Sequence, residues 1–330
     1  MKARAVRFLA PYRVGLEELD VPEPGPGQLL VRAEHSGISA GTEMLAFRGE
    51  LDAGLARDET LGALGGTFAY PFSYGYAVVG RVERSRAGIP QGARVLAFHP
   101  HQELFVVDED DAIVVDGADP RQAALLPLVE TGLQISLDAA PGLGEQVVVV
   151  GLGCVGILAG ALLARAGARV IGSEPDAARR RAAARFGVEA VAPPQLRTRV
   201  GEATGGRGAD LVVEASGNAA ALAEALPLLA HEGTALVCSW YGTKPVSLPL
   251  GADFHRRRLT IRSSQVSTIP AALAGRWDRE RRRAAARALL AELPLAALAT
   301  HDFPFERAAE AYAAIDRPEP GLIHATLRYR

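Results

Sequence analysis

The sequence predicts an α/β protein in which a mostly β unit, formed by both ends of the chain, encloses an inserted domain with a doubly wound parallel sheet. Short alternating segments separated by Pro and Gly turns fill residues 1–115. Strands then alternate with helices from about residue 120, and a strand-like segment returns at 322–329. The first pattern is typical of an antiparallel barrel, and the second of a parallel sheet covered by helices.

Composition limits the possible functions. A chain of 330 residues with 48% hydrophobic residues and a net charge of −2 is long enough for two domains, and its charge does not favour nucleic acid or an anionic membrane. No apolar run approaches the roughly 20 residues of a membrane span. The 2 cysteines form no CxxC pair and cannot build a four-cysteine zinc lobe. We therefore expect a cytoplasmic protein that acts on a small molecule.

Six short strands are predicted in the N-terminal unit. They are AVRFL, LLVRAEH, AVVGRVE, ARVLAF, LFVVDE and DAIVV, and turns such as PEPGPGQ and IPQGAR separate them. In the inserted domain, EQVVVVG is a buried strand, CVGILAGALLARAG is helical, and ARVIGSE, DLVVEAS, TALVCSW and LTIRSS are further strands. The predicted domains are 1–127, 128–265, and a C-terminal return at 266–330 that completes the first.

The segment GLGCVG (151–156) is a glycine-rich loop between a predicted strand and a predicted helix. Gly151 permits a tight turn, Gly153 lets the backbone approach a pyrophosphate, and Gly156 lets helix and strand pack closely. The alternative is a purely structural glycine turn, but the strand–loop–helix context favours a dinucleotide. Within the loop, Cys154 and Val155 begin the helix; Cys154 is either a small packed residue or a redox switch.

The next strand ends in Glu174, where a carboxylate accepts hydrogen bonds from adenine ribose hydroxyls and repels a 2′-phosphate. This favours NAD. Arg179, five residues later, is placed to flank the ribose and keeps NADP open as the less favoured cofactor.

Together these features resemble the medium-chain dehydrogenase/reductase superfamily over essentially the whole chain. The matching segments are SGISAGTEM (36–44), YGYAVVGRV (74–82), ETG (130–132), GLGCVG and GADLVVEASG (208–217). The resemblance implies a GroES-like catalytic domain with an inserted Rossmann domain, and a homodimer or homotetramer. SGISAGTEM followed by YGY also resembles the bacteriochlorophyllide hydroxyethyl dehydrogenases locally.

Zinc members of this superfamily carry their catalytic ligands at positions that correspond here to Ser39, Tyr76 with Ala77 beside it, and the vicinity of Pro127. Zinc requires thiolate, imidazole or carboxylate ligands, and none of these residues supplies one. The resemblance therefore implies a branch that lacks the catalytic zinc, and we expect no metal.

Without zinc, hydrogen-bond donors must polarise and protonate the substrate oxygen. Thr42 matches the hydroxyl residue of the family that contacts this oxygen. Ser39, Tyr76 and His99 are the other candidates for the polar floor, with His101 a weaker one, and Glu130 is a candidate base or orienting residue near the nicotinamide. A packed core aromatic is the alternative for Tyr76.

Further cofactor contacts follow from the family match and from the carboxyl ends of the sheet strands, where ligands bind in such folds. They are Thr131, Ala215, Ser216, Ser239, Trp240, Ser264 and Gln265. Ordinary packing at the sheet edge is the alternative for Trp240 and for Tyr241 beside it.

The function that these residues favour is zinc-independent interconversion of a polar or hydroxylated secondary alcohol and its ketone with NAD(P)(H). Two alternatives stay open: a quinone or enoyl reductase of the same superfamily, and a non-catalytic NAD(H)-binding redox sensor.

Overall fold

The computed structural model describes residues 1–58, 61–317 and 319–330. The chain forms two compact units. Unit 1 combines Met1–Pro127 with Ala299–Arg330, and unit 2 is the continuous segment Leu128–Leu298. Unit 2 is therefore inserted into unit 1, and the predicted fold class is confirmed. None of the described helices is long and apolar enough to cross a membrane.

The strands are β1 (Lys2–Ala10), β2 (Arg13–Asp20), β3 (Gln28–Ile38), β4 (Val78–Ser85), β5 (Arg94–Ala97), β6 (Leu104–Asp108), β7 (Ala112–Val114), β8 (Gln146–Val150), β9 (Arg169–Ser173), β10 (Glu189–Val191), β11 (Ala209–Glu214), β12 (Leu229–Val237), β13 (Thr260–Ser263), β14 (His301–Pro304) and β15 (Ala325–Arg328). The α-helices are α1 (Thr42–Arg48), α2 (Pro120–Ala123), α3 (Leu126–Ala139), α4 (Cys154–Arg165), α5 (Ala177–Arg185), α6 (Pro193–Thr204), α7 (Ala219–Ala225), α8 (Arg279–Glu292) and α9 (Ala308–Asp316).

Unit 1 is built on a mixed sheet in which the two ends of the chain meet. Its strand order is β14-β15-β3-β4-β5-β7, with β6 also paired to β3. The C-terminal strand β15 runs antiparallel to β3, with Ala325 opposite Ile38 and Arg328 opposite His35. Large buried side chains, among them Phe8, Phe105 and Tyr312, fill its core. The residues that precede SGISAGTEM are thus held between strands from distant parts of the sequence.

Unit 2 has one six-stranded sheet in the order β10-β9-β8-β11-β12-β13, and every neighbouring pair is parallel. Numbered within the unit, this is the order 3-2-1-4-5-6 of a dinucleotide-binding fold. Val147, Val148 and Val149 of β8 are fully buried, as expected for a central parallel strand covered on both faces.

The end of the inserted unit differs from the prediction. The sequence placed it at residue 265, but the compact unit continues to Leu298. The reason is α8, whose Arg282 is buried and donates through Nε to the Glu130 carboxylate of α3, at 2.9 Å. A helix that neutralises a buried charge of unit 2 belongs to that unit.

Candidate functional site

The glycine loop after β8 has the geometry of a close-packed turn. Gly151 has φ +88°, and a Cβ there would lie 2.5 Å from Ser216 Cα. A Cβ on Gly156 would lie only 1.9 Å from the Gly151 carbonyl oxygen. Both positions therefore exclude any side chain, which gives the two outer glycines the roles predicted for them.

Gly153 is different because no described atom lies within 4 Å of the Cβ that it lacks. It is the N-cap residue of α4 and, as a glycine, has no side chain with which to cap the helix. An open approach to the backbone at a helix N-terminus suits a pyrophosphate. The residues present therefore fit a dinucleotide.

Cys154 and Val155 form the first turn of α4. Burial raises the pKa of the Cys154 thiol to about 12, so the thiol is protonated at neutral pH and is a packed residue. A redox switch would require an accessible thiol of low pKa. The half-buried Val155 contributes backbone to the same turn.

Glu174 follows β9 and is almost fully buried. Its Oε2 accepts the Leu152 amide of the glycine loop at 2.9 Å, and its Oε1 accepts the Asp176 amide at 3.0 Å. The carboxylate thus orders the glycine loop in addition to any contact with a ribose. Arg179 is half-buried, with its amide donating to Asp176 at 2.9 Å.

A buried carboxylate that sequence reasoning missed lies at the end of β11. Glu214 is fully buried, and its Oε1 accepts the Ser216 amide at 2.7 Å and the Ser216 hydroxyl at 2.5 Å. Its Oε2 accepts the Tyr241 hydroxyl at 2.6 Å. Glu214 therefore fixes two segments that follow neighbouring strands, and it orients Tyr241 inward.

The other residues predicted at these strand ends are held by local hydrogen bonds. Ser239 Oγ accepts the Gly217 amide at 2.8 Å, and Ser264 Oγ donates to Asp138 Oδ2 at 2.6 Å. Gln265 Oε1 accepts the Ser267 amide at 2.7 Å. Of the remainder, Ala215 and Thr131 are half-buried, whereas Trp240 is 42% exposed.

Glu130 occupies a different setting from the one predicted. Its carboxylate is buried in the ion pair with Arg282, which also donates to Gln134. Removing a proton from a substrate requires an accessible base, and this carboxylate is committed to a buried guanidinium. The structure gives Glu130 a structural role rather than that of a base.

In unit 1, SGISAGTEM ends β3 and begins α1. Ser39 is buried, while Ala40 and Gly41 are exposed and Thr42 is half-buried. Among the described residues, nothing hydrogen-bonds to the Thr42 hydroxyl. The rim of this loop therefore presents a hydroxyl group without a protein partner.

Behind the rim lies a buried polar cluster that centres on Glu43. Its Oε1 accepts the Ser39 amide at 2.8 Å, and its Oε2 accepts His101 Nε2–H at 2.9 Å and the Tyr312 hydroxyl at 2.5 Å. His101 Nδ1 lies 2.7 Å from Ser36 Oγ, which lies 2.9 Å from the Tyr329 hydroxyl. We call these five residues, Ser36, Glu43, His101, Tyr312 and Tyr329, the Glu43 cluster.

Sequence reasoning gave His101 only minor weight and did not connect it to Glu43. One local signal was available: Glu43 is the single charged residue at the front of a run, Met44–Phe47, that is buried throughout. A carboxylate beside such a run requires a buried partner. The partners themselves, His101 in the loop before β6 and Tyr312 in α9, are too distant in sequence to be recognised from it.

His99 has the opposite charge state from the one that an acid requires. Burial lowers the pKa of His99 to about 4, so its ring is neutral near pH 7. Because Nδ1 lies 2.9 Å from the Pro100 carbonyl oxygen, Nδ1 carries the proton and Nε2 is an acceptor. The ring stacks on Phe105 at 4.1 Å. His99 is therefore suited to accept a hydrogen bond, not to donate a proton.

Tyr76 is half-buried and meets Tyr74 edge-on, with ring centroids 6.3 Å apart. It also packs against the hydrophobic core of unit 1. Tyr76 is thus partly packed, as the alternative of a core aromatic predicts. A role for Tyr76 as proton donor stays a prediction.

The residues at the expected ligand positions do not fit zinc. Ser39, Tyr76, Ala77 and Pro127 offer no thiolate, imidazole or carboxylate. Within the described part of the chain, no three His, Cys, Asp or Glu side chains are grouped as a metal site would require.

Comparison with known proteins agrees with this architecture. Residues 154–280 match the sequence family described as "Zinc-binding dehydrogenase". The chain is 29% identical to 2-desacetyl-2-hydroxyethyl bacteriochlorophyllide A dehydrogenase of Cereibacter sphaeroides, covering 95% of this chain and 94% of that protein. It is 25% identical to L-galactonate-5-dehydrogenase of Escherichia coli, covering 92% of each.

Solved structures share the fold. A short chain alcohol dehydrogenase from Escherichia coli CFT073, complexed with NADH, superimposes with a TM-score of 0.77 at 17% identity over 99% of both chains. A zinc-binding dehydrogenase from Sinorhizobium meliloti 1021, bound to NADP, gives 0.76 at 22% identity, also over 99% of both. Residues 154–280 thus match a family of zinc-binding dehydrogenases, and the whole chain is similar in sequence and fold to dehydrogenases of the medium-chain type.

Proposed function

We propose that this protein interconverts a polar secondary alcohol and its ketone with NAD(H), without a catalytic metal. The observation that carries the proposal is the loop at 36–44, where the zinc ligand of the family is replaced and the Thr42 hydroxyl is left for a substrate oxygen. Two relatives support the substrate class, since one acts on a hydroxyethyl group and the other on a sugar acid.

A bound nicotinamide supplies the hydride acceptor or donor in such a reaction. The protein must then bind the reacting oxygen and move its proton. Thr42 donates a hydrogen bond to the oxygen of the ketone and accepts one from the alcohol. His99, neutral with Nε2 as an acceptor, is suited to accept a hydrogen bond from the alcohol. Tyr76 is the remaining candidate donor.

NAD is the proposed cofactor because Glu174 places a carboxylate directly after β9, beside the glycine loop. A 2′-phosphate at that position would meet a negative charge.

The test uses Thr42→Val, which replaces the hydroxyl by a methyl group of similar size, and Thr42→Ser, which keeps it. If Thr42 binds the reacting oxygen, Thr42→Val lowers kcat about 10²–10⁴-fold, and Thr42→Ser retains most activity. Assays with polyhydroxylated secondary alcohols and NAD⁺ follow the reduced nicotinamide by absorbance. Equal activity of Thr42→Val and the parent would contradict the assignment.

Metal independence is tested separately on the purified protein. Elemental analysis is expected to find far less than one zinc per chain, and activity is expected to survive a strong chelator. Stoichiometric zinc that is lost together with activity would refute the zinc-free mechanism. Turnover of quinones or enones in place of alcohols would favour the reductase alternative.

A further inference from the structure

The stretch Ser36–Ser39 leads directly into the exposed rim that carries Thr42, and both of its ends are tied to the same pair of buried side chains. Ser36 Oγ contacts His101 Nδ1 at 2.7 Å, and the Ser39 amide donates to Glu43 Oε1 at 2.8 Å. His101 and Glu43 are joined at 2.9 Å. The Glu43–His101 pair thus connects the two ends of this stretch through hydrogen bonds.

The pair has no room to rearrange. Both side chains are fully buried, and a Cβ on Gly75 would lie 2.7 Å from two atoms of the His101 ring. Gly75 has φ +121°, a conformation that glycine adopts without strain. Gly37, between the two tied serines, is equally confined because a Cβ there would lie 3.0 Å from the Ala124 carbonyl oxygen.

The hydrogen bonds of the Glu43 cluster form one consistent set of donors and acceptors. Glu43 is the acceptor in all three of its contacts, as a carboxylate must be. His101 Nε2 donates to Glu43, and its Nδ1 pairs with the Ser36 hydroxyl. Ser36 Oγ pairs in turn with the Tyr329 hydroxyl. Every buried polar atom in this chain of contacts has a partner, which is the condition under which a buried network specifies one conformation.

We propose that Glu43 and His101 are positioning residues that hold the Ser36–Ser39 stretch and thereby place Thr42 for the reaction. This rests on the proposed function. The pair touches neither Thr42 Oγ1 nor solvent, so it acts through the loop backbone. Where zinc is absent, the pair fixes the position of the loop by hydrogen bonds in place of a metal ligand. A displacement of about 1 Å at a reacting group costs about 10²-fold in rate.

The test compares three variants in the full-length protein. His101→Leu removes both contacts of the imidazole, while His101→Gln retains an amide donor for Glu43 and an acceptor for Ser36. Gln102→Met is the matched control, because Gln102 is the buried neighbour whose Nε2 donates to the Leu104 carbonyl oxygen at 2.8 Å and makes no contact with Glu43. Ser36→Ala is a milder variant that breaks one tie if His101→Leu does not fold.

For His101→Leu we expect kcat to fall about 10²-fold, with KM for NAD(H) unchanged because the glycine loop lies in unit 2. His101→Gln is expected to recover most of this loss, and Gln102→Met to retain full kcat. Unchanged kcat in His101→Leu, or an equal loss of kcat in Gln102→Met, would overturn the proposal.

Amide hydrogen exchange of residues 36–44 provides a readout that does not depend on activity. The Ser39 amide is expected to exchange faster in His101→Leu and in Ser36→Ala than in the parent and in Gln102→Met. If the parent oxidises no alcohol, the proposed function fails, while faster Ser39 exchange still supports the structural part of the inference. Unaltered exchange of the Ser39 amide in both His101→Leu and Ser36→Ala overturns the inference.

Discussion

The Glu174 carboxylate orders the glycine loop, and in the proposed function it also disfavours the 2′-phosphate of NADP. Its contacts with the Leu152 and Asp176 amides mean that a small replacement such as serine would disturb the loop as well as the charge. A test of cofactor choice therefore requires a substitution that keeps the size of the side chain.

Glu174→Gln removes the charge and keeps an amide oxygen for one of the two backbone donors. We expect the parent to bind NADH more tightly than NADPH, and Glu174→Gln to narrow the difference by about tenfold, a change of roughly 1.4 kcal/mol. Fluorescence titration with both cofactors measures it. Equal or tighter NADPH binding by the parent would refute NAD as the cofactor.

His324 is a buried histidine of unit 1 whose Nδ1 has no hydrogen-bond partner within the described residues. Burial, with a smaller contribution from Arg121, lowers the pKa of His324 to about 4. The unfolded chain, with an ordinary histidine pKa of about 6.5, therefore binds this proton first as pH falls. Stability that His324 contributes is present above pH 6.5 and is lost as pH falls toward 4.

Between pH 7 and pH 5 this linkage removes about 2 kcal/mol from the free energy of unfolding. His324→Gln should abolish that part of the pH dependence, measured by urea unfolding at the two pH values. His231→Gln is the control, since His231 is exposed. An identical pH dependence in His324→Gln and the parent would show that His324 does not titrate in this way.

At the scale of the element, the glycine loop before α4 is open at one of its three glycines. Gly151 and Gly156 are closed by neighbouring backbone, whereas no described atom lies within 4 Å of a Cβ on Gly153. A side chain at 153 would thus occupy the approach of the pyrophosphate without disturbing the fold.

Gly153→Val is expected to abolish NADH binding while the thermal unfolding midpoint changes little. Gly201→Val on α6 is the matched control, because Gly201 also has no described atom within 4 Å of its missing Cβ. Calorimetric titration of both variants with NADH tests the difference. Normal binding by Gly153→Val would exclude this loop as the cofactor site.

At the scale of the whole molecule, the limits of unit 2 can be tested with fragments. The fragment 128–298 contains the complete six-stranded sheet and both partners of the Glu130–Arg282 ion pair. A fragment that ends at 265 lacks α8 and with it the Arg282 guanidinium that pairs with Glu130. Breaking a buried pair in this way costs about 3–5 kcal/mol.

We expect 128–298 to unfold cooperatively in urea and to bind NADH, and 128–265 to be markedly less stable. Circular dichroism and NADH titration of the two fragments provide the measurement. As a control, Arg282→Met in the longer fragment should lose a comparable part of its stability. Equal stability of the two fragments would place the end of unit 2 at residue 265, as the sequence pattern predicts.

The sequence was sufficient for much of the fold because the strongest signals are local. The valine run of β8 and the glycines before α4 identify a parallel strand and its binding turn from adjacent residues. The short or edge strands β2, β10 and β14 gave no comparable pattern; β2, for example, is largely solvent-facing and reads RVGLEELD.

Most of the buried polar contacts were not predictable in this way. Glu43 meets residues 101 and 312, and Glu130 meets residue 282. Each pairing joins residues that are far apart in the sequence. From the sequence alone, several other charged residues would be equally good partners. The charge state of His99 likewise follows from burial, which no local pattern reveals.

The discontinuity of unit 1 has a consequence for biosynthesis. Strand β15, which pairs with β3, leaves the ribosome only after all of unit 2 has been synthesised. Unit 2 is continuous and is therefore able to fold while translation continues, as domains generally do. The loop that carries Thr42, although made among the first fifty residues, must wait for Tyr312 and Tyr329. A nascent chain should thus complete the glycine loop of unit 2 before the loop that carries Thr42, an order that limited proteolysis of ribosome-arrested chains would reveal.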